Sequence, residues 1–466
     1  MVYYFKSNLK GEVMEELNTV QKWSFGMGSF SQWFINSAFN IWVFTFYFAA
    51  VKIPIAWYIL AAVIWTLWNA FNDPLIGYLS DRTHTRWGRR KPYIMLGTIP
   101  IIVLEIIIWM PPLNNDVGKF IYLLIMLFCY DTFYTMVSLP FDALFPELYT
   151  SLKDRAQVNT IKQILSVIGL LCAAIVPGLF IEEIETLDGY LMNGIITSII
   201  VGISLIIALK WGVVERKEFK LDYKQSFNFF QSLKYTLKNK AFVLYTIMFF
   251  LYEYVLLLLG TVIQIFGKNV LNSTPFETSL IMGVLYIVGL LTVGIWRWLD
   301  LKLGSRKAYG ISIIAYIIGS IPLLLIDSYI FTLVVAIAMG FGFGGMLYFI
   351  YLIVADIIDE DELKTGVRRE GAYFGITNFF MRLAMILSIL TVGVVFTQVS
   401  WETYTPTGAI TEIIGLRMLM YAFPAIALLI TLICLYFYPF TKSKVEEIKV
   451  KLIELHKEKA EKVNTI

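Results

Sequence analysis

Charge is scarce in this sequence. Only 16% of its 466 residues are Asp, Glu, Lys or Arg, where a soluble domain carries about a quarter. Hydrophobic residues reach 58% and mean hydropathy is +0.70. A water-soluble fold could not cover that much apolar surface, whereas in lipid no cover is needed. Cysteine is scarcer still. Cys129, Cys172 and Cys434 lie in apolar runs without CxxC or CxxH spacing, which excludes a disulfide framework and leaves them as small core residues. The two histidines, His84 and His456, sit in polar segments and cannot form a metal site between them. The first twenty residues are polar and carry several acids, so no cleavable leader is read and the first membrane helix is expected to target the chain. HExxH, GxSxG and a phosphate-cradling glycine loop are missing, and no extramembrane stretch is long enough for a catalytic domain. Neither an enzyme nor a cofactor is expected.

What is present is a series of apolar runs. A membrane-crossing helix needs about 20 such residues. Runs of that kind fall at 25–49, 55–80, 92–111, 119–147, 158–181 and 191–214, then at 241–266, 277–299, 308–326, 329–357, 371–398 and 414–438. The expected fold is therefore an all-α membrane protein of twelve transmembrane helices in two six-helix bundles. The N-terminal bundle is residues 1–214 and the C-terminal bundle residues 241–440, with a connector at 215–240 and a tail at 441–466.

Loop charge orients the chain, because Lys and Arg are retained on the cytoplasmic side. Loops 81–91, 150–157, 301–307 and 358–370 hold thirteen bases; the opposite loops hold only Lys52, Lys119 and Lys268. Both termini are thus expected inside a cell membrane. In the connector, Phe227, Phe230, Leu233 and Leu237 make an apolar stripe; in the tail, Val445, Ile448, Leu452 and Leu455 make another. Both read as amphipathic surface helices.

The halves echo each other. Gly88-Arg89-Arg90-Lys91 precedes the third run and Gly304-Ser305-Arg306-Lys307 the ninth; Asp142 and Glu147 close the fourth, and Asp356, Asp359 and Asp361 the tenth. A six-plus-six repeat is the layout of transporters whose site lies between the halves. The glycines at 340, 342, 344 and 345 lie inside a span, away from any strand, and read as a close-packing stretch.

Charge at mid-membrane is costly and marks function. Counting about 1.5 Å per residue from the helix ends, Asp73, Asp131, Glu253 and Arg382 each fall about halfway across, with Glu105 similar on the third helix. One base cannot neutralise these acids. A carboxyl left over, changing protonation as the site opens to water, is what proton coupling requires. Around them stand an amide stripe of Gln32, Asn36 and Asn40, then Asn69 one turn from Asp73, then Tyr134, Thr135 and Ser138 beside Asp131, and Asn378 one turn from Arg382. With Trp33, Tyr348 and Tyr351 these suit a sugar, whose hydroxyls need partners and whose ring faces stack on aromatics. Asp81 with Arg82, Arg86, Arg89 and Arg90 can form ion pairs that gate one end.

The run Asn72-Asp73-Pro74-Leu75-Ile76-Gly77, with Asp81-Arg82 and Arg86-Trp87-Gly88-Arg89-Arg90-Lys91-Pro92, resembles the loop signature of the major facilitator superfamily. It is closer still to the glycoside–pentoside–hexuronide:cation symporters, the melibiose-permease-like family. Leu139-Pro140-Phe141-Asp142 through Glu147, and Val354-Ala355-Asp356 through Glu370, fit the same pattern. The resemblance implies the major facilitator fold, alternating access, and gating acids at Asp81, Asp142 and Asp356. It implies a cation site of acids on the second and fourth helices. Asp73 matches one; Asn69 and Ser138 stand where others belong, and Thr135 remains. Trp33 takes the place of a sugar-recognising acid, Gln163 that of an arginine (beside Lys162), and Arg382 that of a lysine. These departures weaken sodium coupling and leave a proton on Asp73 as the expected coupling ion. The expected partners are a small-molecule substrate, a sugar foremost, and membrane lipids, with no nucleic acid and the chain acting as a monomer. A lysolipid carrier of the same fold, an uncoupled facilitator and a non-transporting receptor are the alternatives.

The charge asymmetry makes a topological prediction. A cysteine replacing Asp188 reacts with an impermeant maleimide added outside intact cells, and one replacing Thr85 reacts only after the inner face is exposed. Outside labelling at position 85 reverses the orientation.

Overall fold

In lipid a backbone must satisfy its own N–H and C=O groups, so each apolar run becomes a helix. The computed structural model describes residues 18–83, 85–149, 152–213, 239–365 and 370–464. Its first half holds α1 (Thr19–Thr45), α2 (Ile55–Arg82), α3 (Lys91–Ile107), α4 (Asp116–Leu148), α5 (Leu152–Ile175) and α6 (Asp188–Ile207). Its second holds α7 (Lys240–Val270), α8 (Pro275–Leu303), α9 (Ser305–Ser320), α10 (Tyr329–Thr365) and α11 (Glu370–Gln398). The twelfth rod is α12 (Ile410–Arg417) and α13 (Phe423–Phe437), joined through a π-helical turn at Met418–Ala422. Similar turns extend α1 over Phe46–Ala50 and α6 over Ala208–Gly212, and the tail is α14 (Lys442–Asn464).

Ten of these rods are long and apolar enough to cross a membrane by length and composition. The other two among the described residues are α3, whose regular part is 17 residues, and α1, which is diluted by serines and amides. Four helix starts carry polar caps, at Asn18, Asn115, Asn239 and Thr274. Asn18 exchanges hydrogen bonds with Gln21, and Thr274 with Glu277, so each pair satisfies backbone donors that lack an intrahelical partner.

Packing is densest within each half: α1 on α5, α2 and α3 on α4, then α10 on α8 and α9, and α11 and α13 on α7. The halves meet along α1–α7, α2–α11 and α5–α8. The four-glycine run lets α10 touch two neighbours backbone to backbone. A Cβ at Gly340 would lie 2.8 Å from the Leu285 carbonyl and one at Gly344 2.2 Å from that of Gly289, both on α8. One at Gly342 would lie 2.4 Å from the Tyr316 nitrogen on α9. Small residues at helix crossings serve this approach, since lipid offers no hydrophobic force to press helices together.

One expectation shifts. A loop was expected over 358–370, but α10 runs on through Thr365, where Lys364 reaches Glu360 one turn back at 2.8 Å. Acids and bases are good helix formers once the rod leaves hydrocarbon. The connector stripe at 227–237 lies outside the described residues. The tail stripe lies within them: Ile448 and Leu452 are buried, α14 packs on α10, and Lys449 approaches Asp356 at 4.0 Å.

The echoed loops share one backbone feature. Gly88 has φ 102° and Gly304 φ 82°, a region that side-chain-bearing residues avoid. Gly304, with ψ 154°, ends α8 and leaves no room for a Cβ, which would sit 2.7 Å from Lys442. Gly304→Ala is therefore expected to cost about 1–3 kcal/mol, read as a lowered Tm in detergent. Gly294→Ala, inside α8 with nothing within 4 Å of the new methyl, is expected to leave Tm unchanged or raise it.

Candidate polar core and closed end

Asp73 and Asn69 project from α2 one turn apart, and Asn72 lies between them on the same side of the helix toward α4. Asp131 and Thr135 answer them from α4, again one turn apart. The result is one connected network. Asn69 donates to Asp131 Oδ1, and Asn72 Nδ2 donates both to Asp131 Oδ2 at 3.0 Å and to Thr135 Oγ1 at 3.1 Å. Thr135 Oγ1 donates to Asp73 Oδ1 at 2.9 Å. From the other half, Arg382 Nη2 on α11 donates to Asp73 Oδ2 at 2.9 Å.

The two ends of this network differ in cover. Asn69, Asn72, Asp131 and Thr135 are buried, while the Arg382 and Asp73 side chains remain 24% and 33% exposed. The amide oxygens of Asn69 and Asn72 are buried without partners. An amide turned about its axis offers that oxygen to a proton on the neighbouring carboxyl, so Asp131 can be accommodated charged or neutral. Among the described residues no three His, Cys, Asp or Glu side chains gather as a metal cluster.

Glu253 on α7 and Tyr134 on α4 lie within electrostatic reach of Arg382, as does Asp131. Three of the mid-membrane acids thus surround the one base. Glu105 does not join them; it is buried on α3 and accepts a hydrogen bond from the Tyr130 hydroxyl at 2.9 Å.

The residues expected around a solute are distributed unevenly. Gln32 is buried, with its amide 3.4 Å from the Ser138 carbonyl, and the Ser138 hydroxyl stays outside the network. Asn40 donates to the Asn36 carbonyl at 2.7 Å. Trp33, Asn36, Gln163, Tyr351 and Asn378 are exposed, and Tyr351 stands within electrostatic reach of Glu253. Tyr348 is directed instead toward Asp300 and Arg297 on α8. Asn72, at 1% exposure, is the network member that depth counting did not single out, although it adjoins Asp73 and sits three residues from Asn69.

Of the expected gate, Arg82 lies over the Tyr78 ring at 4.1 Å and Arg86 over the Trp87 ring at 4.3 Å. Arg89 is half-buried and Arg90 buried. The Asp81 side chain lies outside the described residues. Asp142 is held by Lys162 at 3.3 Å.

The end bearing the acidic loop 182–190 is where the halves converge. The Ile55 N–H donates to the Glu402 carbonyl at 2.8 Å, and Lys268 pairs with Glu183. Phe48 stacks on Phe396 with centroids 5.1 Å apart and meets Tyr404 at 5.7 Å. Residues 41–49 of the first rod and 261–267 of α7 are buried on every side, whereas Trp33, Asn36 and Ile247, nearer the basic end, are exposed. The molecule is closed at its acidic end.

The family described as MFS/sugar transport protein matches residues 24–442. A symporter of Synechocystis sp., sll1374, is 24% identical over 94% of this chain and 97% of its own. The isoprimeverose transporter of Lactiplantibacillus pentosus is 25% identical over 70% of each chain. The sodium-dependent lysophosphatidylcholine symporter 1 of Mus musculus is 24% identical over 84% of this chain and 80% of its own. Among solved structures, the nucleoside transporter NupG superposes with a TM-score of 0.64 at 17% identity, over 90% of this chain and 98% of that one. These likenesses give the major facilitator fold, and with it a multi-pass membrane protein.

The Arg382–Asp73 pair is open to a double-mutant test. Arg382→Ala strands a carboxylate in the core, whereas Asp73→Asn with Arg382→Ala does not. The coupling between the two sites is expected to be about 0.5–3 kcal/mol by thermal unfolding; additive losses would remove the pair.

Proposed function

This chain belongs to the MFS/sugar transport family, and on that premise we propose that it carries a sugar or glycoside across the cell membrane together with a proton, by alternating access. The observation that carries this reading is the Arg382–Asp73 ion pair, which bridges the halves about two thirds of the way along α2 and midway along α11. A charge pair there costs desolvation, and it earns a place most readily where it is made and broken. The moving bodies are residues 1–214 and 241–440, linked by 215–240, with the tail at 441–466 riding on the second. The positive-inside rule puts the basic end and both termini in the cytoplasm. The closed acidic end then faces outward, and the conformation is inward-facing.

Coupling follows from competition. Asp73 accepts from Arg382 and Thr135, and a proton arriving on Asp73 displaces the guanidinium. Arg382 and the carboxylates of Asp73, Asp131 and Glu253 leave two negative charges uncompensated, and the transported proton removes the one on Asp73. Exposed Trp33, Tyr351, Asn36, Asn378 and Gln163 supply ring faces and amides for a hydroxylated solute. The isoprimeverose transporter among the relatives supports a sugar. The lysophosphatidylcholine symporter supports the alternative of a lysolipid. No covalent chemistry is assigned to the chain.

Counterflow in proteoliposomes against sugars, glycosides and lysolipids, under pH or sodium gradients, tests the reading. Exchange of a sugar with accumulation driven by pH alone is expected. Asp73→Asn, mimicking the protonated state, should abolish accumulation yet keep exchange. Accumulation at the wild-type level in Asp73→Asn would take Asp73 out of the mechanism, and exchange of lysolipids alone would replace the substrate class.

A further inference from the structure

Glu253 is unlike the other core carboxyls. Asp73 has a guanidinium and a threonine, Asp131 has two amides, and Glu105 has a tyrosine hydroxyl. Glu253 has no hydrogen-bond or ion-pair partner among the described residues, yet it lies midway along α7 within electrostatic reach of Arg382. Its helix and Arg382's are packed together in the second half. Tyr254, next in sequence, bonds Thr391 of α11 at 3.2 Å, and Phe242 meets Tyr373 edge-on at 4.7 Å. These contacts run α7 and α11 side by side in the same direction and set Glu253 level with residues 384–390, about one half to two turns from Arg382 toward the acidic end. Arg382 therefore has one carboxylate across the gap between halves and another within its own half.

A bond across the gap cannot survive the halves tilting apart, whereas a bond within one half moves with it. We propose that Arg382 exchanges partners during the transport cycle, held by Asp73 when the acidic end is closed and by Glu253 when it opens. This rests on the alternating-access reading above. Asp73 stabilises the present conformation, and Glu253 is a positioning residue that stabilises the opposite one. It receives a guanidinium that would otherwise stay unpaired in a low-dielectric core. Asp73, released, takes its proton from water at the opened end. An ion pair that only swaps carboxylates never leaves the base uncompensated, so the barrier between conformations stays low.

The test needs no substrate. With Cys129, Cys172 and Cys434 replaced by alanine, a single Asn36→Cys reporter is labelled with an impermeant maleimide from the acidic or the basic side of sealed vesicles. The parent reporter is expected to react from both sides. Glu253→Gln should cut acidic-side labelling about tenfold while basic-side labelling, which reports a folded and inserted protein, holds. Glu253→Asp, which keeps the charge, should stay within about threefold of the parent. Asp73→Asn should shift labelling the other way, toward the acidic side. Parent-like acidic-side labelling in Glu253→Gln overturns the exchange, and so does an aspartate variant that falls as far as the glutamine one. A parent reporter that reacts from one side only overturns alternating access itself, and the exchange with it.

Discussion

The expense of charge in hydrocarbon shapes this molecule at every scale. It keeps bases in the loops of one face, thirteen against three, and leaves the apolar rods nearly free of them. It explains why the ionisable groups at depth, Glu105 apart, are gathered together. Arg382 sits among Asp73, Asp131 and Glu253 because each is tolerable only near the others or near amides. The same expense explains why Asn69, Asn72 and Thr135 are buried beside Asp131: they return the hydrogen bonds that water would give.

Much of this was legible in the sequence because hydropathy and depth are one-dimensional. The helices, their order and the halfway positions of Asp73, Asp131, Glu253 and Arg382 need only distance along the chain. What faces what is a different kind of information. Asp73 and Arg382 are 309 residues apart, and nothing local says that this acid, rather than Asp131, takes the base. The amide stripe of α1 shows the difficulty on one helix. A spacing of four residues drifts about 40° per step, enough to bury Gln32 against α4 while Asn36 stays exposed. Likewise Tyr348 and Tyr351 are three residues apart, and a turn of about 60° sends one toward α8 and leaves the other near Glu253.

The relatives divide along the same line. Sugar carriers and lysolipid carriers match this chain at nearly equal identity, which fits a scaffold defined by hydropathy and loop charge and a specificity defined by a few cavity residues. Around Trp33, Ser138 and Gln163 the helices α1, α4 and α5 run unbroken, and Trp33 and Gln163 are exposed.

The glycine run of α10 carries a mechanical consequence. Side chains between two helices act as a compliant layer that lets the rods slide by switching rotamers. At Gly340, Gly342 and Gly344 that layer is missing, and backbone meets backbone on both sides. The assembly of α8, α9 and α10 is thus stiff against shear and transmits a displacement at one end to the other without absorbing it. Any compliance between the halves is left to the seams α1–α7, α2–α11 and α5–α8.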